Sequence, residues 1–419
     1  MATTPIDHIH HGHLGAVYVS EESSFCTTGT ERRCYPVADS VDVVTTQTST
    51  DVTTLGPIPY DVETPIAGLK GATAKLSYYL QPPTTANINN ATPDTDAAAP
   101  LRVLLRCVFG GESVTAGSVV DTAASASSLA VDAGDGANFH AGKLLAVDTD
   151  ATYGLEVAQV RSRATDALTL YPALSATPAG GRAIRAINTY YPTRTNSRSL
   201  SVAVSGQDTT RQLRVNGCTG SLAIELQRDA LAMATFDLVG ATWTGPDSLS
   251  LAVTRVEDPM ANPLAVRNVL CYLQPVATTT RVNTAVDAVS LALNFGNIHL
   301  TSLTGTTEGK RAVHRGENLI APFATATLTM PDCADVYTWY ESQSELSLTL
   351  VVQAGAIAAR RFVVVHIPQA IITQRPAVSK GEGQLTKLSV TLAAKVSEQC
   401  SGTLDTEEMA MAPFVLGLG

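Results

Sequence analysis

Residues 72–77 read Ala-Thr-Ala-Lys-Leu-Ser, and residues 324–329 read Ala-Thr-Ala-Thr-Leu-Thr. The two stretches begin 252 residues apart (324 − 72) and share an alternation of apolar and polar positions. That alternation predicts a β-strand with one buried and one outward face. A pattern that recurs within one chain is typical of repeated domains. The sequence therefore predicts two domains of similar construction.

The elements around the two stretches also repeat in order. A β-rich run precedes each stretch, at 41–46 and at 286–291. A short amphipathic helix behind or at a proline follows, starting at Pro100 in the first half and covering 333–341 in the second. Proline is favoured in the first turn of a helix, and several strand-like runs come after each helix. This shared order supports a duplication more strongly than six matching letters do.

The first half contains an additional segment. Leu200 and Leu348 follow the two helices and lie only 148 residues apart (348 − 200), so the first half holds 104 residues more (252 − 148). Between 112 and 190, short strand-like runs alternate with Gly, Asp and Pro turns at even spacing, which is typical of a small β-barrel or sandwich. The fold predicted is mainly β. Its parts are a first domain at 1–111 and 191–245, an inserted small β module at 112–190, a linker or exposed arm at 246–280, a second domain at 281–397 and a tail at 398–419.

The composition points to large contact surfaces between subunits, with a weakly charged monomer as the alternative. Charged residues are 16% of the 419, against roughly 25% in an average soluble protein. A net charge of −10 disfavours general attraction to nucleic acid or anionic membranes. No apolar run approaches the roughly 20 residues that cross a bilayer, and the N-terminus lacks the pattern of a signal peptide. Seven scattered cysteines favour reduced thiols over a disulfide framework.

No motif for catalysis or cofactor binding is evident. The chain lacks a G-x-S-x-G elbow and an H-E-x-x-H zinc signature, and its glycine pairs do not open a helix after a strand. His8, His10, His11 and His13 could bind Zn²⁺ or Ni²⁺. A solvated N-terminal arm is the favoured interpretation, because no cysteine or carboxylate pair stands nearby at a ligand spacing. We therefore predict no enzymatic activity, no cofactor and no metal site.

A group of arginines lies in and just after the inserted module: Arg161, Arg163, Arg182, Arg185, Arg194 and Arg198. One interpretation is a basic patch for nucleic acid or lipopolysaccharide, but these arginines are not interleaved with aromatic residues that could stack on bases. We favour a solvated face with salt bridges to a partner subunit.

Four carboxylates stand within apolar, alternating strands: Asp42, Glu225, Asp237 and Asp287. Successive side chains of a strand point to opposite faces, and an unpaired buried carboxylate is costly. We expect these four side chains to point outward. They would meet either ordinary solvent or an enclosed space that a negative surface lines.

Three stretches carry a resemblance to a known family. GCTGSLAIE at 217–225, leading into AMATFDLVG at 232–240, resembles the closing strands of the major tail tube proteins of long-tailed bacteriophages. GAVYVSEESSF at 15–25 is similar to the opening segment of that family. The module, with FHAG at 139–142 and YPAL at 171–174, resembles a small barrel found inside larger members. The resemblance implies two β-sandwich or partial-barrel domains, each with a flanking helix.

The same resemblance implies a structural virion protein. In that family six tube domains form a ring, and rings stack into the hollow tail tube through which genomic DNA is ejected. Two fused domains would build the ring from three copies, assembled in the host bacterial cytoplasm and located in the virion tail. The implied partners are further copies of the chain, the tail terminator, tape measure and distal tail proteins, and duplex DNA that passes without specific binding; no membrane insertion is expected. Lumen-facing Asp42, Glu225, Asp237 and Asp287 would repel the phosphates, whereas a basic lining would hold them.

Other segments are expected to reach outward. The loops 47–68 and 304–317, the linker and the tail are long enough to contact an adjacent ring. The apolar end of the tail, APFVL at 412–416, is typical of a docking peptide, with a disordered end as the alternative. The inserted module would decorate the exterior of the tube. The alternative function is a β-rich receptor- or carbohydrate-binding virion protein, although 5% aromatic residues offer little for sugar sites.

Overall fold

The protein is mainly β and contains two well-formed helices. A computed structural model describes residues 16–37, 40–50, 66–80, 100–149, 154–193, 198–205, 212–245, 264–267, 269–278, 281, 283–295, 297–301, 310–315, 323–354, 361–379, 386–400 and 407–419.

The elements follow one another in four groups. The first comprises β1 (Ala16–Glu21), β2 (Arg32–Cys34), β3 (Asp42–Thr50), β4 (Ile66–Tyr79), α1 (Pro100–Phe109) and β5 (Gly110–Thr115). The second comprises β6 (Ser118–Ser125), β7 (Ser128–Val131), β8 (Leu144–Asp148), β9 (Leu155–Ala164), β10 (Ala167–Tyr171) and β11 (Ala183–Arg185). The third comprises β12 (Ile187–Pro192), β13 (Leu200–Ser205), β14 (Gln212–Gln227), β15 (Met233–Gly240) and β16 (Thr242–Thr244). The fourth comprises β17 (Val269–Pro275), β18 (Ala288–Leu293), β19 (Asn297–Thr301), β20 (Lys310–Arg315), β21 (Ala324–Pro331), α2 (Ala334–Glu341), β22 (Leu346–Ala354), β23 (Arg361–Ile372), β24 (Ala377–Ser379), β25 (Lys387–Ala394), α3 (Glu407–Ala410) and β26 (Val415–Leu418).

The two repeated stretches are strands, as predicted. In β4, Ala74 and Leu76 are buried while Thr73 and Lys75 are exposed, and β21 alternates in the same way. Both predicted helices are confirmed as α1 and α2. Helix α1 buries its apolar side chains in the core, whereas Arg102 forms an ion pair with Glu112 at its surface.

The two halves have the same strand order. Neighbouring strands run β1–β13–β14–β15–β4–β3 in the first half. They run β17–β22–β23–β25–β21–β18 in the second, and all of these pairs are antiparallel. Because β17 takes the place of β1, the second repeat begins within 246–280. The prediction that this segment is a linker or exposed arm is therefore wrong for Val269–Pro275, most of which is buried.

One strand joins the two halves into a single sheet. β14 pairs with β13 and β16 along its first part, and then with β15 on one edge and β18 on the other. The pairing with β18 runs from Leu222 opposite Leu293 to Gln227 opposite Ala288. The result is a continuous sheet of eight strands in the order β3–β4–β15–β14–β18–β21–β25–β24.

The inserted segment folds as the predicted small barrel. Its six strands close in the order β10–β7–β6–β11–β8–β9, around a core that includes Phe139, Leu145 and Val160. The barrel is narrower in sequence than 112–190: β5 and β12 pair with each other outside it. These two strands are the connection through which the chain enters and leaves the barrel.

A buried ion pair fixes the barrel to the second half. Arg281 donates from Nη1 to Glu156 Oε2 at 3.5 Å and from Nη2 to the carbonyl of Val157 at 2.6 Å. Both charged side chains are at most 1% exposed, and the guanidinium carbon lies 4.5 Å from the centre of the Tyr272 ring. A buried ion that loses its partner is strongly destabilising. The barrel is therefore held against β17 by an interaction that tolerates little displacement.

The C-terminal end is part of the same molecule's sheet. β26 lies between β12 and β23 and pairs with both. Phe414 stacks on Phe109 at a centroid distance of 5.9 Å. The predictions of an intermolecular docking peptide and of a disordered end are both wrong for 407–419, because this apolar run is buried within its own chain.

The two expected long loops contain strands. β3 and β4 extend into 47–68 and pair there, and β20 pairs with β19 inside 304–317. What is left of both loops, at 51–65, 304–309 and 316–317, lies outside the described residues, as does the polar segment 81–99.

We expect Phe414→Ala to destabilise the protein by about 3–5 kcal/mol, because it removes a fully buried aromatic ring. Urea unfolding would show this as a lower midpoint. Met411→Ala is the control: Met411 is 40% exposed, so its removal should change stability by less than about 0.5 kcal/mol. An unchanged midpoint for Phe414→Ala would contradict the docking of the C-terminal strand in its own chain.

Candidate functional site

The most extensive site in the molecule is one face of the eight-stranded sheet. The other face packs on the core through side chains such as Leu76, Phe236 and Ile224, none of which is exposed. The outward face follows the strand alternation across both halves without interruption. Its side chains are mostly small and polar: Thr73, Lys75, Ser221, Ala223, Glu225, Thr235, Asp237, Val239, Ser290, Ala292, Thr325, Thr327, Thr329, Ser389 and Thr391.

Two of the four predicted carboxylates lie in one row of this face. Asp42 pairs across strands with Lys75, and Lys75 pairs with Asp237. Lys75 Nζ is 3.8 Å from Asp237 Oδ1, and both side chains are more than half exposed. An exposed ion pair contributes between about 0 and 1 kcal/mol. Its main effect here is to leave one net negative charge along the row.

The other two predicted carboxylates differ from each other. Glu225 is exposed and lies opposite Ser290 on β18. Asp287 precedes β18, is only 28% exposed, and is bridged by Lys387 at 3.1 Å and Arg228 at 3.9 Å. The structure thus brings Asp42, Glu225 and Asp237 onto one exposed face. It places Asp287 beside that face with its charge compensated.

The negative charge is unequally divided between the repeats. At the offset of 252 residues, Lys75 corresponds to Thr327, whose cross-strand neighbours are Ser290 and Thr391. These two hydroxyl residues occupy the positions that Asp42 and Asp237 hold around Lys75. The exposed carboxylates therefore belong to the first repeat alone. Sequence reasoning missed this asymmetry, although aligning the two halves at the offset of the repeated strand would have revealed it.

An open cleft of about 400 Å³ lies on the face, bordered by Asp42, Lys75, Ser221, Asp237 and Asn294. In the described part of the chain, no three His, Cys, Asp or Glu side chains are grouped so that they could hold a metal ion. The His8–His13 cluster lies outside the described residues.

The predicted arginine cluster does not form one patch. Arg185 is buried in an ion pair with Asp148, and Arg198 pairs with Glu21. Arg163 donates to the carbonyl of Gly136 at 2.9 Å. Arg194 lies outside the described residues. The charges of Arg185 and Arg198 are therefore met by carboxylates of the same chain and not by those of a partner subunit.

The buried titratable groups have structural surroundings. His366 in β23 is buried, and its Nδ1 is 2.9 Å from Thr349 Oγ1. Burial, together with the charge of Arg281, lowers the pKa of His366 to about 3. Lys143 donates to the carbonyls of Asn138 and Val114, and burial lowers its pKa to about 8.

No protein-family model matches this chain, and no curated protein matches it either. Among the described helices, none has the length and apolar character needed to cross a bilayer.

The buried His366 should make stability depend on pH. The folded protein keeps this imidazole neutral down to a pKa of about 3, whereas the unfolded chain protonates it near 6.5. The unfolded state therefore binds more protons below pH 6.5, and stability should fall as the pH drops from 6.5 towards 3. At pH 5 the cost is about 2 kcal/mol.

The matched variant is His366→Gln, which cannot be protonated. We expect urea midpoints to show a larger wild-type advantage at pH 7.5 than at pH 5. If the difference between the two proteins were the same at both pH values, His366 would not be the buried titrating group.

Proposed function

We propose that the protein is a structural subunit of a hollow tube, of the kind that forms the tails of long-tailed bacteriophages, and that it has no catalytic activity. The observation that carries the proposal is the continuous, polar and acidic face shared by both repeats. This sheet ends at β3 on one side and β24 on the other, and the described residues include no strand paired with either outer edge. Unpaired strand edges are templates for pairing with another chain.

Strand counting supports a ring of three copies. Three copies of the eight-stranded sheet give 24 strands (3 × 8). At about 4.8 Å between strands, their circumference is about 115 Å and the backbone-to-backbone diameter about 37 Å. Short side chains on the inner wall leave a bore wider than a B-form duplex. Two copies would give a cylinder of only about 25 Å, too narrow once side chains line it.

The charge of the face suits passage of DNA. Asp42, Glu225 and Asp237 outnumber Lys75, and the neighbouring side chains are hydroxyl and methyl groups. A basic wall would displace counterions and hold the phosphates with high affinity, whereas a carboxylate wall repels them. We assign these three carboxylates to the bore. Asp287, with its charge compensated, contributes little to this repulsion.

The remaining parts of the chain take secondary roles in this proposal. The barrel packs on β17, β22 and β23 through Leu144, Val157 and neighbouring apolar residues, so we place it on the outer wall. Further copies of the chain would form the adjacent rings in the virion tail, and the tail terminator, tape measure and distal tail proteins would meet the ends or the interior of the tube.

Electron microscopy of the purified protein tests the proposal. We expect rings with three-fold symmetry, alone or stacked into tubes, because each copy presents two complementary strand edges. A particle that stays monomeric over a wide concentration range would contradict it. A discrete oligomer without a central channel would instead favour a receptor- or carbohydrate-binding virion protein.

Charge reversal tests the assignment of the bore. In Asp42→Lys with Asp237→Lys, assembled tubes should retain duplex DNA at low salt and release it steeply as salt increases, whereas wild-type tubes should not retain it. Asp121→Lys with Asp132→Lys is the control with the same change in charge, since both residues are exposed on the barrel. Equal retention by both variants would show that Asp42 and Asp237 do not line the channel.

A further inference from the structure

The junction between the two repeats contains information about the contact between two copies. Inside the chain, β14 of the first repeat pairs with β18 of the second. The register of the other strand pairs identifies which strands occupy the same two positions at the open edges of the sheet.

The counterpart of β18 is β3. Asp42 lies opposite Lys75, and Ser290 lies opposite Thr327, which is 252 residues after Lys75 (327 − 75). Position 290 in the second repeat is therefore equivalent to position 42 in the first. By the same shift of 248 residues (290 − 42), Leu291 corresponds to Val43.

The counterpart of β14 at the other edge is β24. Glu225 lies opposite Met233, and Ser379 lies opposite Lys387. Both members of the second pair are 154 residues after those of the first (379 − 225 and 387 − 233). The strands β15 and β25 show the same shift at Asp237 and Thr391 (391 − 237), each of which faces the equivalent position of β4 or β21. Ser379 and Val378 therefore stand where Glu225 and Ile224 stand in the first repeat.

The internal junction pairs Glu225 with Ser290, Ile224 with Leu291 and Ala223 with Ala292. Resting on the proposed ring, we propose that β24 of one copy pairs antiparallel with β3 of a second copy in the corresponding register. That register places Ser379 opposite Asp42, Val378 opposite Val43 and Ala377 opposite Val44.

Burial at the two kinds of edge supports this register. At the internal junction, Ile224 and Leu291 are both fully buried. At the open edges, Val378 is 50% exposed and Val43 is only partly buried. Pairing of the copies would cover these two valines in the way the internal junction covers Ile224 and Leu291. A shift by one residue would turn the apolar side chains to the wet face, so the register is strongly specified.

The charges are compatible with the same arrangement. Inside the chain, a carboxylate on β14 faces a hydroxyl on β18. Between copies, the carboxylate would come from β3 and the hydroxyl from β24. Like charges opposite each other are avoided in both cases, which matters because such pairs are destabilising in a sheet.

Cysteine cross-linking of the assembled protein tests the register. Val43→Cys with Val378→Cys places two thiols opposite each other across the contact, where Cβ atoms are close enough for a disulfide. After oxidation with copper phenanthroline, a non-reducing gel should show dimers and trimers and no longer species, because three copies close the ring. Val44→Cys with Ala377→Cys tests the same register from the exposed face.

The matched control is Thr45→Cys with Val378→Cys, which is shifted by two residues and leaves the Cβ atoms about 7–8 Å apart. The single variants report cross-linking through the partly exposed native Cys26, Cys333 and Cys400. Rings that cross-link only through the shifted pair, or through none, would overturn the register while leaving the tube intact. Absence of both rings and cross-links would overturn the tube and the contact together, whereas cross-linked chains without rings would support the contact and refute the tube.

Discussion

The pairing of β14 with β18 is the interaction on which the rest of the molecule depends. It joins two repeats that each end in an open edge, and it does so over six residue pairs with Leu222, Ile224, Leu291 and Leu293 buried beneath. β14 can serve both partners because it bends. Gly217 has a φ of +66°, and a side chain at Gly220 would come within 1.9 Å of the carbonyl oxygen of Asp237. Glycine at these two positions lets one long strand pass from β13 to β18.

The first repeat and the second are fused but not equivalent. The first carries the inserted barrel and the exposed carboxylates, and the second presents hydroxyl residues at the corresponding positions of the sheet. Two interactions keep these different halves together away from the sheet. Arg281 holds Glu156 of the barrel, and β26 bridges β12 to β23. A ring of three copies would therefore combine a nearly six-fold sheet with a three-fold distribution of charge.

Local patterns predicted local structure well. β4 and β21 alternate strictly, α1 begins at a proline, and the barrel strands are separated by turn residues, so each could be recognised from a short window. β17 escaped because it is buried over most of its length and shows no alternation, and it lies in a proline-rich region. β26 escaped because four residues carry too little pattern. The β14–β18 pairing could not be predicted because strand pairing depends on residues far apart in sequence, although the shared offset of the repeats contained the register.

A reconstruction of the assembled protein at a resolution that separates strands would test the central claim most directly. The account predicts three copies per ring, 24 strands around the channel (3 × 8), and Asp42, Glu225 and Asp237 facing its interior. A ring in which the eight-stranded face forms the outer wall, or in which β3 and β24 remain unpaired between copies, would contradict it.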